Sequence, residues 1–137
     1  MKISTYGRYA LRMMVDIAEH DGFVTLKDIA ARQDLSKKYL EQIALRLSQA
    51  GYFTTSRGHY GGFSLARPAD QITVLEVLKV VESSMAVVEC LETTPNECPR
   101  SRECKTLPLW TGLKTVIEEY LGSITLQDLV DGKVPQQ

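Results

Sequence analysis

Apolar residues recur three and four positions apart through the first part of the chain, and that spacing predicts amphipathic helices. Tyr6, Ala10, Met13, Met14, Ile17 and Ala18 trace one face of a first helix, opened by Ser4 and stopped at Asp21-Gly22. Thr25, with Asp28 three residues on, caps a short second helix striped by Leu26, Ile29 and Ala30. Gln33-Asp34-Leu35 breaks it. Ser36 then caps a third helix, in which Leu40, Ile43, Ala44 and Leu47 fall at i, i+3, i+4 and i+7 before Gly51 ends it.

Beyond Gly51 the pattern changes. Residues 52–57 are aromatic and threonine-rich, residues 58–62 are glycine-rich, and residues 63–66 alternate apolar and small side chains. Strand, turn and return strand follow, closed by Arg67-Pro68. Thr73 and Glu76 form a capping box for a helix carrying Val74, Val77, Leu78 and Val81 on one face. Residues 89–106 hold two prolines, three cysteines and few apolar groups, which reads as a loop. A long helix starts at Leu107 with Trp110, Leu113, Ile117, Tyr120 and Leu121 as its stripe, and Thr125 and Asp128 open a short last helix.

The expected fold is mainly α with a small β-hairpin wing: a winged helix-turn-helix plus a long C-terminal dimerisation helix. At 137 residues it should be a single domain. Within it, residues 1–68 form the winged helix-turn-helix DNA-binding part and 69–88 a connecting helix. Residues 89–106 form a cysteine loop, and 107–131 the dimerisation and terminal helices. Hydrophobic residues at 44% and charged ones at 24% exclude wholesale disorder. Charged residues interrupt every apolar run well short of a membrane span, and the N-terminus shows no secretory pattern. The expectation is a cytoplasmic protein with no membrane partner.

Charge changes the picture most. Residues 1–68 carry ten Lys/Arg against six Asp/Glu, and residues 69–137 six against eleven, within a net charge of −1. A basic first half on a near-neutral chain suggests a polyanion partner for that half alone. The third helix carries Ser36, Lys37, Lys38, Glu41, Gln42 and Arg46 on its outer face. In a major groove, Lys37 and Lys38 would meet phosphates or guanine edges, Gln42 an adenine, and Glu41 a cytosine amino group. In the wing, Arg57 and His59 sit among glycines, including Gly58 and Gly61, that let the backbone approach a duplex. Arg57 is the candidate for a minor groove. A merely solvated helix pair and hairpin is the competing reading of each feature taken alone. No nucleophile–base pair is apparent, and residues 58–62 lack the Lys and Ser/Thr of a phosphate loop, so an enzyme is not expected.

Cys90, Cys98 and Cys104 are the second constellation, separated by seven and five residues. Thiolates at loop spacing can converge on a metal or cluster. The alternatives are unrelated cytosolic thiols or a thiol redox switch. Three ligands leave a tetrahedral site one short. His20, His59, Glu97, Glu103 or a residue of a partner subunit are the candidates for the fourth.

With these motifs in place, the chain resembles the Rrf-two family of bacterial winged helix-turn-helix transcription regulators. The segment from Met1 through Ala10 is similar to the family's N-terminus. Tyr39-Leu-Glu-Gln42 matches its recognition helix, and Ser56-Arg-Gly-His-Tyr-Gly-Gly-Phe63 its wing. Residues 72–77 and 124–129 match its later helices. The likeness runs from about residue 1 to about 131, and it adds Tyr39 to the candidate DNA contacts. It implies a homodimer joined by the helix near residues 107–121 and a partly palindromic double-stranded DNA operator. Glu41 resembles the family's discriminating acid and Arg57 its wing arginine.

The cysteines resemble the cluster-ligating trio of the IscR and NsrR branches, which implies an iron–sulfur cluster, 2Fe–2S ahead of 4Fe–4S. CymR-like members lack that trio. The first cysteine gap is two residues longer than in IscR. The positions that would supply a fourth ligand in the two branches hold Leu107 and Arg8 here. The function expected is a DNA-binding regulator sensing cluster status, redox state or nitric oxide. A cluster-free thiol regulator, or one acting through a protein partner, is the alternative.

Overall fold

Hydroxyl caps set the frame of the first half. In the computed structural model, which describes residues 1–58 and 61–136, Ser4 Oγ accepts from the Gly7 N–H at 3.1 Å and opens α1 (Thr5–Ala18). Thr25 Oγ1 accepts from the Asp28 N–H at 3.1 Å and opens α2 (Leu26–Gln33). Ser36 Oγ accepts from the Tyr39 N–H at 3.4 Å and opens α3 (Lys37–Gln49). Each cap relieves a backbone donor that the helix itself cannot satisfy. α1 ends at Ala18, three residues ahead of the Asp21-Gly22 stop that the sequence suggested.

The hairpin pairs β1 (Phe53–Ser56) with β2 (Gly62–Leu65) antiparallel, in the register Phe53 to Leu65 and Ser56 to Gly62. Val24 adds a single rung on the far side of β2, exchanging both backbone hydrogen bonds with Phe63 at 2.8 Å. Gly62 is required there, because a Cβ would strike the Val24 carbonyl. Gly58 opens the turn at φ 103°, a backbone that side-chain-bearing residues rarely adopt. A 3-10 turn at Ala69–Gln71 leads to α4 (Val74–Val81), with its Thr73–Glu76 capping box formed as expected. A second 3-10 turn, Glu89–Leu91, lies in the cysteine segment. α5 (Leu107–Gly122) and α6 (Leu126–Asp131) complete the chain, and Thr125 and Asp128 close a second capping box. A backbone bridge between Thr73 and Thr125 ties the start of α6 to the start of α4.

One apolar core unites α1 to α4, the hairpin and α6. Met13, Ile29, Leu40, Ile43, Leu47, Ile72, Val77 and Leu126 are completely buried in it. Fully burying an aliphatic side chain of this size contributes about 1.5–3 kcal/mol, so α3 is anchored by its inner stripe. Asp16 is the one buried charge among the described residues. Arg32 grips it with two hydrogen bonds, at 3.0 and 2.7 Å, and Gln33 adds a third at 3.1 Å. Burial alone would push this carboxyl up. The bonds from Arg32 and Gln33 outweigh it and hold the group below its ordinary value. The pair locks α1 to α2.

Candidate nucleic-acid interface and cysteine loop

α3 is two-sided. Leu40, Ile43, Ala44 and Leu47 face the core, while Ser36, Lys37, Lys38, Glu41, Gln42 and Arg46 are exposed. The predicted contact residues therefore share the solvent side of a helix whose inner side fixes its position. Tyr39 lies half-buried between the faces. Its ring centroid is 4.6 Å from that of Tyr6 and 5.4 Å, edge-on, from that of Tyr9.

Besides Ser36, whose hydroxyl caps α3, and Tyr39, two further predicted contacts have hydrogen-bond partners within the chain. The Tyr6 hydroxyl donates to Gln42 Oε1. Arg46 sends Nη1 to the Val81 carbonyl at 3.1 Å, with its guanidinium 5.0 Å from the centre of the Tyr6 ring. Arg46 is thus a bridge from α3 to the end of α4 as well as an exposed cation. Lys37, Lys38 and Glu41 form no ion pair among the described residues. In the wing, Arg57 and Gly58 are exposed and Gly61 is half-buried. His59 lies outside the described residues.

Sequence reasoning missed Tyr6, Ser4 and Glu82 as parts of this region. Glu82 follows α4 directly, and its Oε1 accepts from the Ser4 N–H at 2.9 Å and the Ser4 hydroxyl at 2.7 Å. The partners are 78 positions apart, so no local spacing announces them. Gly7 makes room for the contact, since a Cβ there would meet Glu82 Oε1. The helix caps, by contrast, were visible as short-range patterns.

The three cysteines are free and half-buried. Cys90 and Cys98 line an open depression of about 440 Å³ together with Glu89, Glu92 and Glu97. Cys104 sits apart, its Sγ 3.3 Å from Thr106 Oγ1. The hydrogen bond with the Thr106 hydroxyl, and that from its backbone N–H, hold the Cys104 thiol below its ordinary value. As donors, three thiols suit a soft ion or an iron–sulfur cluster. Their placement in the single chain does not complete such a site. Among the described residues no group of three or more His, Cys, Asp or Glu is positioned to hold a metal ion. The expected convergence of Cys90, Cys98 and Cys104 is not present in this conformation.

α5 has no buried residue along its length. Leu109, Leu113, Val116 and Tyr120 are 61%, 40%, 60% and 39% exposed, and they follow one another at intervals of four, three and four. The sequence stripe had Leu113 and Tyr120 but not Leu109 and Val116. Trp110, Ile117 and Leu121, which it did include, are half-buried instead. The helix presents a seam to solvent that is rotated slightly from the one the spacing suggested.

Comparison with known proteins places this architecture. The model of the Rrf2 family, described as an iron-dependent transcriptional regulator, matches residues 3–132. The chain belongs to the Rrf2 family. Protein rrf2 of Nitratidesulfovibrio vulgaris is 42% identical over 132 residues, covering 95% of this chain and 87% of the relative. The structure of CymR, the global cysteine regulator of B. subtilis, superposes with a TM-score of 0.78 at 40% identity, over 96% of this chain and 98% of that one. T. potens IscR superposes with a TM-score of 0.77 at 36% identity, over 100% and 94%. This Rrf2 chain is therefore a winged-helix, DNA-binding transcription regulator and not an enzyme, as its sequence led us to expect. No helix among its described residues is long and apolar enough to cross a membrane.

Proposed function

We propose that this Rrf2 regulator works in the cytoplasm as a homodimer on a two-fold operator, reading major grooves with α3 and flanking minor grooves with the wing. The observation that carries this reading is the polarity of α3. Lys37, Lys38, Glu41 and Gln42 stand in solvent on a helix whose opposite stripe is sunk in the core. A helix held so rigidly can present side chains to base edges without losing further order. The exposed seam of α5 supports the dimer, because an apolar line of that length is otherwise left in water. Two copies of α3 related by a two-fold axis would meet half-sites about one helical turn, or a multiple of it, apart.

The sensing element in this reading is the cysteine loop, with Cys90, Cys98 and Cys104 as ligands of an iron–sulfur cluster. When bound, the cluster supplies a redox- and nitric-oxide-sensitive centre. The chain's own part is to present three accessible thiols on one segment between α4 and α5. That segment departs from Val81 and Glu82, the residues that hold Arg46 and Ser4. A change in the loop thus acts where α3 and α1 are already tied.

A cluster-free thiol regulator is the second reading. The lowered Cys104 thiol favours it, since the thiolate is the reactive form.

Anaerobic purification with a visible spectrum and iron and sulfide counts tests the two readings. A coloured protein containing both elements, bleached by Cys90→Ala, Cys98→Ala or Cys104→Ala, is the expected result. Stoichiometric zinc after reconstitution points to a structural site and ends the cluster reading. Protein free of metal whose duplex affinity responds to peroxide supports the thiol reading.

A further inference from the structure

Resting on the recognition-helix reading above, we propose that Tyr6 is a positioning residue for base recognition: its hydroxyl holds the Gln42 carboxamide and so selects the base edge that Gln42 reads. Gln42 is an exposed, flexible side chain in the middle of α3. Left alone in water it would present oxygen or nitrogen to the groove with little preference. In the structure it is held, because the hydroxyl of Tyr6, from the first turn of α1, donates to its Oε1.

The holder is itself clamped. The Tyr6 ring packs against Tyr39 at 4.6 Å with the planes 34° apart, and Tyr9 braces Tyr39 edge-on at 5.4 Å. The Arg46 guanidinium lies 5.0 Å from the centre of the Tyr6 ring and is pinned by the Val81 carbonyl. The hydroxyl therefore reaches Gln42 from a ring held directly by two side chains, Tyr39 and Arg46, with Tyr9 behind Tyr39. Nothing in the packing of the core needs that hydroxyl.

The chemistry that follows is specific. One lone pair of Oε1 is taken by the Tyr6 donor and the oxygen is held on the Tyr6 side, so the groups of the carboxamide with no partner at all are the two N–H bonds of Nε2. A donor presented alone suits the acceptors of a major groove: guanine O6 and N7, or thymine O4. Two-point reading of adenine needs oxygen and nitrogen turned together to one edge, and Tyr6 draws the oxygen away. The adenine preference expected for Gln42 from its residue type is thereby shifted toward acceptor-bearing edges.

The test uses the full chain and a duplex selected by the wild-type protein from a randomised library. Wild type, Tyr6→Phe, Gln42→Ala and the double variant are titrated against that duplex, its single-base-pair variants and a random duplex. Tyr6→Phe keeps the ring and removes only the hydroxyl. It should lose about fivefold or more of the discrimination at one base pair per half-site, the same pair that Gln42→Ala affects. The double variant should lose no more than Gln42→Ala alone. Random-duplex affinity and the melting temperature of Tyr6→Phe should match wild type.

If Gln42→Ala relaxes that base pair and Tyr6→Phe does not, the positioning role is wrong and the recognition-helix reading stands. If Tyr6→Phe weakens every duplex alike, the hydroxyl is structural and the proposal fails. If Gln42→Ala leaves all discrimination intact, Gln42 is not a base contact, and the proposal falls with that part of the reading.

Discussion

The winged part and the C-terminal arm of this chain are built on opposite terms. α1 to α4, the hairpin and α6 share a core with many completely buried side chains, and the one buried carboxylate there has three hydrogen bonds. The cysteine loop and α5 bury almost nothing. α5 is sixteen residues long without a buried one, and in the loop Asn96 has its Nδ2 buried with no partner among the described residues. A buried polar group without a partner is costly and uncommon in a finished structure. The first region is complete as a single chain. The second has the features of a region finished by something else, and a second copy on α5 is the reading proposed above.

Paired substitutions in the two regions would separate them most sharply. Leu47→Ala removes a completely buried side chain from α3 and should cost about 2–5 kcal/mol in thermal or denaturant unfolding. Leu113→Glu places a charge on the exposed seam of α5. It should leave the unfolding of the single chain within about 0.5 kcal/mol and convert a dimer to a monomer in sedimentation. Operator affinity should fall with it, because two half-sites are no longer bound together. A Leu113→Glu protein that still sediments as a dimer would move the interface off this helix.

A smaller effect lies at the joint between hairpin and α4. Glu76 accepts from Thr73, from Tyr52 at 3.2 Å and from Arg67 at 2.7 Å. Burial pushes its carboxyl up. The bonds from Arg67 and Thr73 overcome that, and its pKa falls to about 2. An acid depressed in this way stabilises the fold above its unfolded pKa of about 4.3 and loses that contribution as pH falls toward 2. Both partners are substantially exposed, at 33% and 43%, so screening reduces the effect. Glu76→Gln should therefore destabilise by about 1 kcal/mol at pH 7, and its gap from wild type should narrow between about pH 4 and pH 2. A gap that does not change with pH would mean that shape rather than charge is what Glu76 supplies.

What was legible in the sequence follows the same divide. Helix starts were readable because a cap is a local event. Ser4, Thr25, Ser36, Thr73 and Thr125 each bond a backbone N–H three residues on. The two faces of α3 were readable because burial has the helix's own period. The links among Ser4, Glu82, Tyr6, Gln42, Arg46 and Val81 were not, since each spans 35 or more positions and carries no periodic mark. The α5 seam was only half readable. Without a core to fix which side turns inward, Leu109 and Val116 are indistinguishable in sequence from the half-buried Trp110 and Ile117. Cys90, Cys98 and Cys104 stand out in the sequence as a cluster, but whether they meet in space depends on how a loop lies, which spacing does not dictate.

The finest prediction asks whether the exposed face of α3 holds two kinds of contact. Lys37 and Lys38 are exposed at the start of α3, without ion-pair partners among the described residues. Attraction of an ammonium to phosphate does not depend on sequence. Lys37→Ala or Lys38→Ala should thus weaken specific and random duplexes about equally. In a dimer each removes two contacts, so the slope of log affinity against log salt should become shallower by about 1.8. Glu41 is exposed on the same helix and carries the opposite charge. It repels phosphate and gains only where a cytosine amino group faces it. Glu41→Ala should leave random-duplex affinity unchanged or tighter, while relaxing discrimination at one position per half-site by about 1–3 kcal/mol. Titrations at two salt concentrations against a selected duplex, its single-base variants and a random duplex measure both slopes and both ratios. Should Glu41→Ala weaken every duplex alike, the carboxylate serves the helix rather than the groove, and the base-reading role passes to its neighbour Gln42 alone.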